Sequence, residues 1–349
     1  MLAIKTNQSI STFKTFVAVH KGDAFNGIRN YSALLQKLGM RFTVSEPNAF
    51  EAVWCGWGYG RKFTIKEIEE TLPKVKELGI KWVDIDDGYQ TAMGDWNLNK
   101  KKFPRGNVEM KELVSKIHNM GLKAKLWWAP LAIDSGTILL QKDSTILLKN
   151  KDGSNRKISW WNSMYMSPLS ENTWNHTREM VILFIKDWGF DGFKLDGQYL
   201  NSCPPDYTNR NSKTDNPELA CKKWPLIFKM IFDETRKINQ NAIIQICPCG
   251  DCCSIFNIPY MNQSVASDPT SSLQIRQKGK IYKAINPKMA YYAEHVETTD
   301  GGDDFATQLG IGGVIGTRFT WPKDNPNPTQ GNFLLTPEHE IIWKKWISI

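Results

Sequence analysis

The amino-acid sequence predicts a (β/α)₈ barrel. Eight short runs rich in β-branched and aromatic residues alternate with amphipathic stretches whose apolar residues recur at the helical period. Glycines stand where three of the helical patterns end, at Gly79, Gly121 and Gly189. Strand followed by helix, repeated eight times, is typical of a closed parallel sheet surrounded by helices.

The predicted strands are short and evenly distributed along the chain. Helical patterns such as IKEIEETLPKVKEL, MKELVSKIHNMG and TREMVILFIKDWG lie between them. The final helix is expected to begin at Thr336 and Pro337, since proline suits the first turn after an N-cap. The eight strands cover residues 52–57, 81–87, 122–130, 192–196, 242–248, 264–268, 289–296 and 312–321.

A doubly wound open sheet is the structural alternative. It would place a glycine-rich phosphate-binding turn directly between the first strand and its helix. The segment WCGWGYGRKFT matches the pattern G-x-G-x-x-G poorly and does not run directly into a helix. The barrel is therefore the favoured architecture.

Two segments fall outside the repeating pattern. Residues 1–45 precede the barrel, and we interpret them as an extension or linker, the remnant of a missing β-sandwich domain. Residues 46–349 are predicted to form the barrel itself. Residues 131–175 are an insertion between the third strand and its return helix. Its KDGSN sequence predicts the turn of a hairpin or lid beside the barrel mouth.

Length, charge and cysteine content limit the class of protein. The 349 residues are 41% hydrophobic, enough for one large folded domain or two ordinary ones. The net charge of +8 is spread along the chain without a run of five or six like charges, so we expect a solvated basic surface and no nucleic-acid partner. Seven cysteines, an odd number, favour reduced thiols.

The sequence also bears on location and ligands. No stretch of about 18 apolar residues occurs, so no membrane partner is expected. The start lacks the apolar core of a signal peptide, which predicts a cytoplasmic protein if the chain is full length, and a secreted or periplasmic one if it is a trimmed piece. The fourteen tryptophans offer flat faces of the kind that bind sugar rings.

Acidic side chains stand at the carboxyl ends of several predicted strands, where barrels carry their active sites. Strand two ends in Asp86 and Asp87, strand four in Lys194 and Asp196, and strand six in Asp268. Paired carboxylates serve glycosidic cleavage, because one attacks the anomeric carbon or activates water while the other protonates the leaving oxygen. The pattern indicates a sugar-processing site.

Lys194 and Asp196 are two residues apart, so their side chains share one face of the strand. We expect the lysine to lower the pKa of Asp196 and keep it ionised as a nucleophile, with Asp268 as the proton donor. The alternatives are an internal Lys194–Asp196 salt bridge and, for Asp268, a helix N-cap. Sequence spacing does not decide between retaining and inverting geometry.

These residues resemble the melibiase-type α-galactosidases of glycoside hydrolase clan D, especially family 36 and its raffinose-synthase-like relatives. The similar segments include HKGDAFNGIRNYSALL, WCGWGYG, DIDDGYQTAMGDWNLNKKKFPRG, GLKAKLWWAP, GFDGFKLDGQ, SVASDPT and LGIGGVIGTRFTWP. Together they extend from about residue 17 to residue 321. The resemblance implies a retaining enzyme that acts on an α-galactoside or related oligosaccharide, without cofactor or metal.

The resemblance also implies roles for individual residues. Asp196 would be the nucleophile that forms a glycosyl-enzyme, and Asp268 the acid/base. The sugar-binding residues would be Asp86 and Asp87 for hydroxyls 4 and 6, Lys194 for a neighbouring hydroxyl, Trp57 and Trp127 as pocket walls, and Cys247 at the end of strand five.

One segment departs from the family pattern. Bacterial members carry a glycine-rich segment with an arginine and an aspartate after the strand-five cysteine, where this chain reads CPCGDCCSIFN. The difference affects the pocket near the sugar's 2-substituent, so the identity of the sugar stays open. Its cysteines are also compatible with a zinc site, although no second cysteine pair accompanies them.

Two other functions stay open. A galactosyltransferase of the raffinose- or stachyose-synthase type would use the same covalent intermediate, and the KLDGQ segment is similar to those enzymes. A non-catalytic carbohydrate-binding barrel is the other reading, although a lectin needs neither a basic neighbour for Asp196 nor a protonated Asp268. An oligomeric assembly is compatible with the sequence.

Overall fold

Eight parallel strands close into a barrel, which confirms the predicted fold class. The computed structural model describes residues 17–159, 161–208, 216–295, 297, 304–321 and 333–348, together with residues 6, 7, 9 and 15. The barrel strands are β1 (Val53–Cys55), β2 (Trp82–Ile85), β3 (Lys123–Trp128), β6 (Gly192–Asp196), β7 (Ile243–Cys247), β8 (Gln263–Val265), β9 (Ala290–His295) and β10 (Val314–Thr317). The short strands β4 (Ala132–Asp134), β5 (Ser163–Tyr165), β11 (Phe319–Thr320) and β12 (Phe333–Leu334) lie outside the barrel.

Helices follow the barrel strands and cover the outside of the sheet. Their ends agree with local sequence signals: Thr64 and Glu67 form a capping box before the second helix, and the Thr336 side chain caps the last helix as predicted. The helices are α1 (Ala24–Lys37), α2 (Ile65–Glu77), α3 (Asn107–Asn119), α4 (Ile138–Lys142), α5 (Glu171–Val181), α6 (Leu219–Ile238), α7 (Ser272–Ile285), α8 (Phe305–Gly310) and α9 (Pro337–Ile347).

The barrel interior contains a buried polar layer as well as apolar side chains. Lys125 lies on β3, and its Nζ atom is 3.3 Å from Asp84 Oδ2 and 2.8 Å from Gln245 Oε1. The same ammonium donates to Gln263 Oε1 at 3.3 Å. These four side chains come from four different strands, so the layer joins β2, β3, β7 and β8 across the barrel axis.

One close approach between strands depends on glycine. A Cβ atom at Gly192, the first residue of β6, would lie 2.1 Å from the carbonyl oxygen of Ile243 on β7. No side chain fits at this distance, so glycine allows β6 and β7 to pair in a register that places Asp196 opposite Cys247.

The segment at residues 131–175 contains an antiparallel pair of strands. In this pair, Ala132 on β4 lies opposite Tyr165 on β5. A second antiparallel bridge joins Lys149 to Asn155, and Gly153 in the turn between them has a φ of +84°. The predicted KDGSN turn therefore lies at the tip of a hairpin.

The N-terminal helix α1 packs on the outside of the barrel against α7. The Ser32 hydroxyl donates to the carbonyl oxygen of Ile285 at 2.6 Å, which fixes α1 to the end of α7. The proposed relation of residues 1–45 to an earlier β-domain stays a prediction. Within the described part of the chain, no helix has both the length and the apolar character needed to cross a bilayer.

Candidate active site

A cavity of about 370 Å³ opens at the carboxyl ends of the barrel strands. Both predicted catalytic carboxylates line it: Asp196 at the end of β6 and Asp268 just after β8. These strands are separated by β7, as expected for next-but-one neighbours. Five further residues singled out from the sequence also line the cavity, namely Trp57, Asp86, Asp87, Trp127 and Lys194.

Each carboxylate oxygen of Asp196 accepts a hydrogen bond from a different element. The indole Nε1 of Trp127, on the neighbouring strand β3, donates to Oδ2 at 2.6 Å. The thiol of Cys249, in the loop after β7, donates to Oδ1 at 2.9 Å. The carboxylate is therefore held in one orientation at the cavity wall by two neutral donors.

The net pKa of Asp196 is raised, although Lys194 has the lowering effect that the sequence predicts. The Lys194 charge does lower it, and so do the hydrogen bonds from Cys249 and Trp127, but burial has the larger effect and raises the pKa above the usual aspartate value. The nearby Asp268 carboxylate raises it further. Burial dominates because an ionised carboxylate loses its hydration inside the barrel mouth.

Lys194 pairs with a different carboxylate from the one expected. Its Nζ atom lies 2.9 Å from Oδ2 of Asp86, which follows β2, and both side chains are buried. Only β3 lies between β2 and β6. A Lys194–Asp196 salt bridge is therefore not the main contact of this lysine. Asp86 also accepts from the Cys55 thiol and from the backbone N–H of Asp87, so its two oxygens are satisfied.

Asp87 is held by a guanidinium and an amide. Arg61 Nε lies 2.5 Å from Asp87 Oδ2, and Gln90 donates to Oδ1 at 2.7 Å. Burial raises the pKa of Asp87, while the Arg61 charge partly offsets the increase. The Arg61 side chain itself is more than half exposed and lines the cavity.

The turn that carries Asp268 has an unusual backbone. Ser267 and Asp268 both have positive φ, +59° and +50°, a region that non-glycine residues occupy at a cost of about 1 to 3 kcal/mol each. The Glu294 carboxylate accepts from the Asp268 backbone N–H at 2.6 Å. The Lys278 ammonium donates to the carbonyl oxygens of Ala266 and Ser267 at 2.7 and 2.9 Å.

These contacts point the Asp268 side chain into the cavity and leave it exposed there. Asp268 is not the N-cap of the following helix, which was the alternative role for this residue. The N-cap of α7 is Ser271, whose side chain accepts from the backbone N–H of Gln274.

Cys247 does not line the cavity. Its side chain is buried in the barrel, and its thiol lies 3.4 Å from the Ser267 hydroxyl. The next cysteine along the chain, Cys249, lines the cavity instead. The prediction that Cys247 lines the site is therefore wrong, and Cys249 is the cysteine of the candidate site. All seven cysteines are free thiols, and within the described residues no group of three or more His, Cys, Asp or Glu side chains is arranged to hold a metal ion.

Other lining residues were not assigned from the sequence. Gln198 and Tyr199 directly follow the Asp196 strand, so their position after KLD was the available signal. Ile158 and Trp161 come from the insertion, whose approach to the cavity depends on the tertiary packing of the hairpin. The remaining unassigned lining residues are Arg61, Gly250 and His295.

A parallel barrel with two carboxylates facing one cavity at its carboxyl end is an arrangement typical of glycoside hydrolases. The chain belongs to the melibiase family, because the family model described as Melibiase matches residues 26–304. The predicted resemblance is confirmed.

Individual relatives agree with this assignment. A curated protein of Flavonifractor plautii, named A type blood alpha-D-galactosamine galactosaminidase, is 30% identical over 292 residues, which cover 81% of this chain and 27% of that protein. The α-galactosidase structure from Lactobacillus brevis has a TM-score of 0.70 at 16% identity and covers 93% of this chain and 43% of that chain.

A further similar structure is the α-galactosidase of Thermus thermophilus in complex with p-nitrophenyl α-D-galactopyranoside. Its TM-score is 0.66 at 18% identity, over 93% of this chain and 66% of that chain. At this identity the likeness supports the fold. The chain spans about a quarter of the length of the Flavonifractor relative.

Glu294→Gln is expected to flatten the pH dependence of stability. Burial, aided by the Asp268 carboxylate, raises the pKa of Glu294 to about 8. The folded state therefore holds a proton that the unfolded chain releases near pH 4.3. This stabilisation is complete below about pH 4 and is lost as the pH rises to 8.

The measurement is urea unfolding at pH 5 and pH 8. Between pH 5 and pH 8, the free energy of unfolding of the wild type should fall by roughly 1 to 4 kcal/mol more than that of the variant. Glu179→Gln, at an exposed position on α5, is the control and should keep the wild-type pH dependence. Identical pH dependence in Glu294→Gln and wild type would contradict the assignment.

Proposed function

We propose that this protein is a retaining glycoside hydrolase that cleaves terminal α-linked galactose, or a closely related sugar, from oligosaccharides or glycosides. The observation that carries the proposal is the placement of Asp196 and Asp268 on one cavity. One of these carboxylates is half-buried and held by two donors, and the other is exposed. Such a difference suits two separate chemical roles.

Asp196 serves as the nucleophile in this mechanism. It attacks the anomeric carbon and forms a covalent glycosyl-aspartate, while the bond to the leaving oxygen breaks. The hydrogen bond from the Trp127 indole restrains Oδ2 of the carboxylate, so less rotational freedom is lost on reaching the transition state.

Asp268 serves as the acid and then as the base. It gives its proton to the leaving oxygen in the first step and takes a proton from water in the second. Its exposure at the cavity gives it access to both the leaving group and the incoming water. The contacts of Glu294 and Lys278 with the turn position it for both steps.

The sugar is held by polar groups at the cavity floor. Asp86 and Asp87 accept hydrogen bonds from hydroxyls 4 and 6, and Lys194 donates to a neighbouring hydroxyl. Vicinal carboxylates suit the capture of a diol, and buried polar groups discriminate strongly against a sugar that leaves them unpaired. Trp57 and Trp127 both line the cavity wall, and the partly exposed Trp57 provides flat apolar surface there.

A second candidate substrate is a 2-amino sugar, α-linked galactosamine. Four carboxylates and two cations line the cavity, so the carboxylates leave two negative charges in excess when all are ionised, and one while Asp268 holds the proton that it donates. His295 does not offset them, because burial, with the charges of Arg318 and Lys194, keeps its pKa well below the usual histidine value. An ammonium group on the sugar would complement this excess. The Flavonifractor relative is named for galactosamine.

Transfer of the sugar to another sugar uses the same residues as hydrolysis. The outcome depends on whether water or an acceptor hydroxyl reaches the glycosyl-aspartate. Product analysis with and without sucrose as the acceptor separates the two reactions. Hydrolysis is the first proposal because the similar proteins are named as a galactosaminidase and α-galactosidases.

Asp196→Asn is expected to abolish turnover and to leave sugar binding within a few fold, because the amide keeps the shape of the carboxylate but is not a nucleophile. The measurements are hydrolysis of an aryl α-galactoside and sugar binding by calorimetry. Asp251→Asn, an exposed aspartate in the loop after β7, is the control and should remain active. Near wild-type turnover in Asp196→Asn would refute the nucleophile assignment.

Asp268→Ala is expected to slow substrates with poor leaving groups by roughly 10²- to 10⁴-fold, and activated aryl leaving groups much less. An activated phenolate departs without a proton, whereas a sugar alkoxide needs one. The comparison is kcat/KM for a p-nitrophenyl glycoside and for the corresponding disaccharide. Equal slowing of both substrates would count against the acid role.

The choice of sugar is tested with a set of aryl α-glycosides of galactose, galactosamine, N-acetylgalactosamine, glucose and arabinopyranose. A site for galactosamine should prefer it to galactose by about tenfold or more in kcat/KM, since a charged contact contributes roughly 1.5 to 3 kcal/mol. N-acetylgalactosamine is the matched control, with a substituent at the same carbon but no charge. A preference for galactose would instead support the first candidate.

A further inference from the structure

The Cys249 thiol lies in the candidate active site in a position that the sequence did not indicate. It follows β7, lines the cavity, and is partly exposed there. Its Sγ atom is 2.9 Å from Asp196 Oδ1, so the thiol hydrogen is directed at the carboxylate proposed to react. No other cysteine lines this cavity among the residues that the structure describes.

The Cys249 thiol is the donor to Oδ1 of Asp196, because the other nearby donors bind elsewhere. Trp127 occupies Oδ2, and the ammonium of Lys194 lies 2.9 Å from Asp86. The Cys249 thiol is therefore the contact that orients Oδ1. A thiol is a weak donor, so it restrains the oxygen while leaving more of its basicity than a stronger donor would.

The backbone around Cys249 holds the thiol in this place. Cys249 and Gly250 have positive φ, +37° and +87°. The Gly250 N–H donates to the Ser267 carbonyl oxygen at 3.2 Å and lies 3.0 Å from the Ser267 hydroxyl. Ser267 precedes Asp268, so one short loop connects the proposed nucleophile to the turn that carries the proposed acid/base.

We propose that Cys249 is a positioning residue, whose thiol holds Oδ1 of Asp196 for attack on the sugar. The inference rests on the proposed role of Asp196 as nucleophile. It adds a residue in the CPCGDCC segment, to which the proposed mechanism otherwise gives no special role.

The electrostatics agree with this geometry. The Cys249 hydrogen bond lowers the pKa of Asp196, opposing the larger effect of burial. For Cys249, a hydrogen bond with Cys247 lowers the pKa, but burial and the Asp196 carboxylate outweigh it and raise the thiol pKa above the usual value. The titratable and charged groups that interact with Asp196 are Lys194, Asp268, Glu294, Tyr199, Cys247 and Cys249.

The first test is the pH profile of kcat/KM, whose acidic limb reports ionisation of the nucleophile in the free enzyme. Cys249→Ala removes the donor and should move the limb upward by roughly half a pH unit. Cys249→Ser restores a donor and should return the limb to the wild-type position or below it. Cys252→Ala, in the same loop, is the control and should leave the limb unchanged. Superimposed limbs for Cys249→Ala and wild type would overturn the proposal.

The second test does not need activity. Iodoacetamide is the probe: the Cys249 thiolate attacks its methylene carbon, a C–S bond forms, iodide leaves, and the thiol proton goes to solvent. Asp196→Asn removes the neighbouring negative charge, so alkylation of the Cys249 peptide, followed by mass spectrometry, should become about threefold faster or more. The exposed Cys221 is the internal control and should react at the same rate in both proteins. Equal Cys249 rates would overturn the proposed contact.

The two tests distinguish the positioning role from the proposed function. A fully active Asp196→Asn variant would refute the nucleophile assignment, and with it the role of Cys249 in catalysis. An inactive Asp196→Asn variant combined with an unshifted limb in Cys249→Ala would refute the positioning role alone. If wild type hydrolyses no glycoside of the set, the proposed function fails, and the alkylation rates still decide whether Cys249 contacts Asp196.

Discussion

The buried ion pair between Lys194 and Asp86 is the contact on which the rest of the site depends. Four carboxylates line one cavity, and their mutual repulsion would be severe without a cation among them. The 2.9 Å pair neutralises one of the four at the cavity floor. Because both partners are buried, removal of either would leave an unpaired charge, which typically costs about 3 to 5 kcal/mol.

With Lys194 beside Asp86, the other carboxylates receive different partners. Arg61 and Gln90 hold Asp87, whereas Trp127 and Cys249 hold Asp196 through neutral donors. Burial can therefore raise the pKa of Asp196 despite the nearby lysine. A carboxylate that is not fully neutralised by a direct ion pair keeps more of its nucleophilic character.

The turn after β8 shows how strain is held at a functional position. Two consecutive non-glycine residues, Ser267 and Asp268, adopt left-handed backbone conformations. Glu294 and Lys278 satisfy the backbone groups of this turn, and Gly250 ties it to the loop of Cys249. The contacts come from β9, α7 and the loop after β7, so the arrangement requires these three elements to be packed around the turn.

The sequence by itself determined the barrel, because strand and helix periodicities are local properties of the chain, and the barrel placed Asp86, Asp196 and Asp268 at one end. Only the tertiary structure decided which groups pair. Because side chains alternate along β6, the sequence predicts that Lys194 and Asp196 lie on the same face. It does not predict that Lys194 pairs with Asp86, which follows β2 and is more than 100 residues away in the chain. Tertiary contacts also explain why Cys249, and not the predicted Cys247, lines the cavity. The loop has a positive φ at Cys249 that directs the thiol towards Asp196, and this conformation depends on contacts with the distant turn at Ser267.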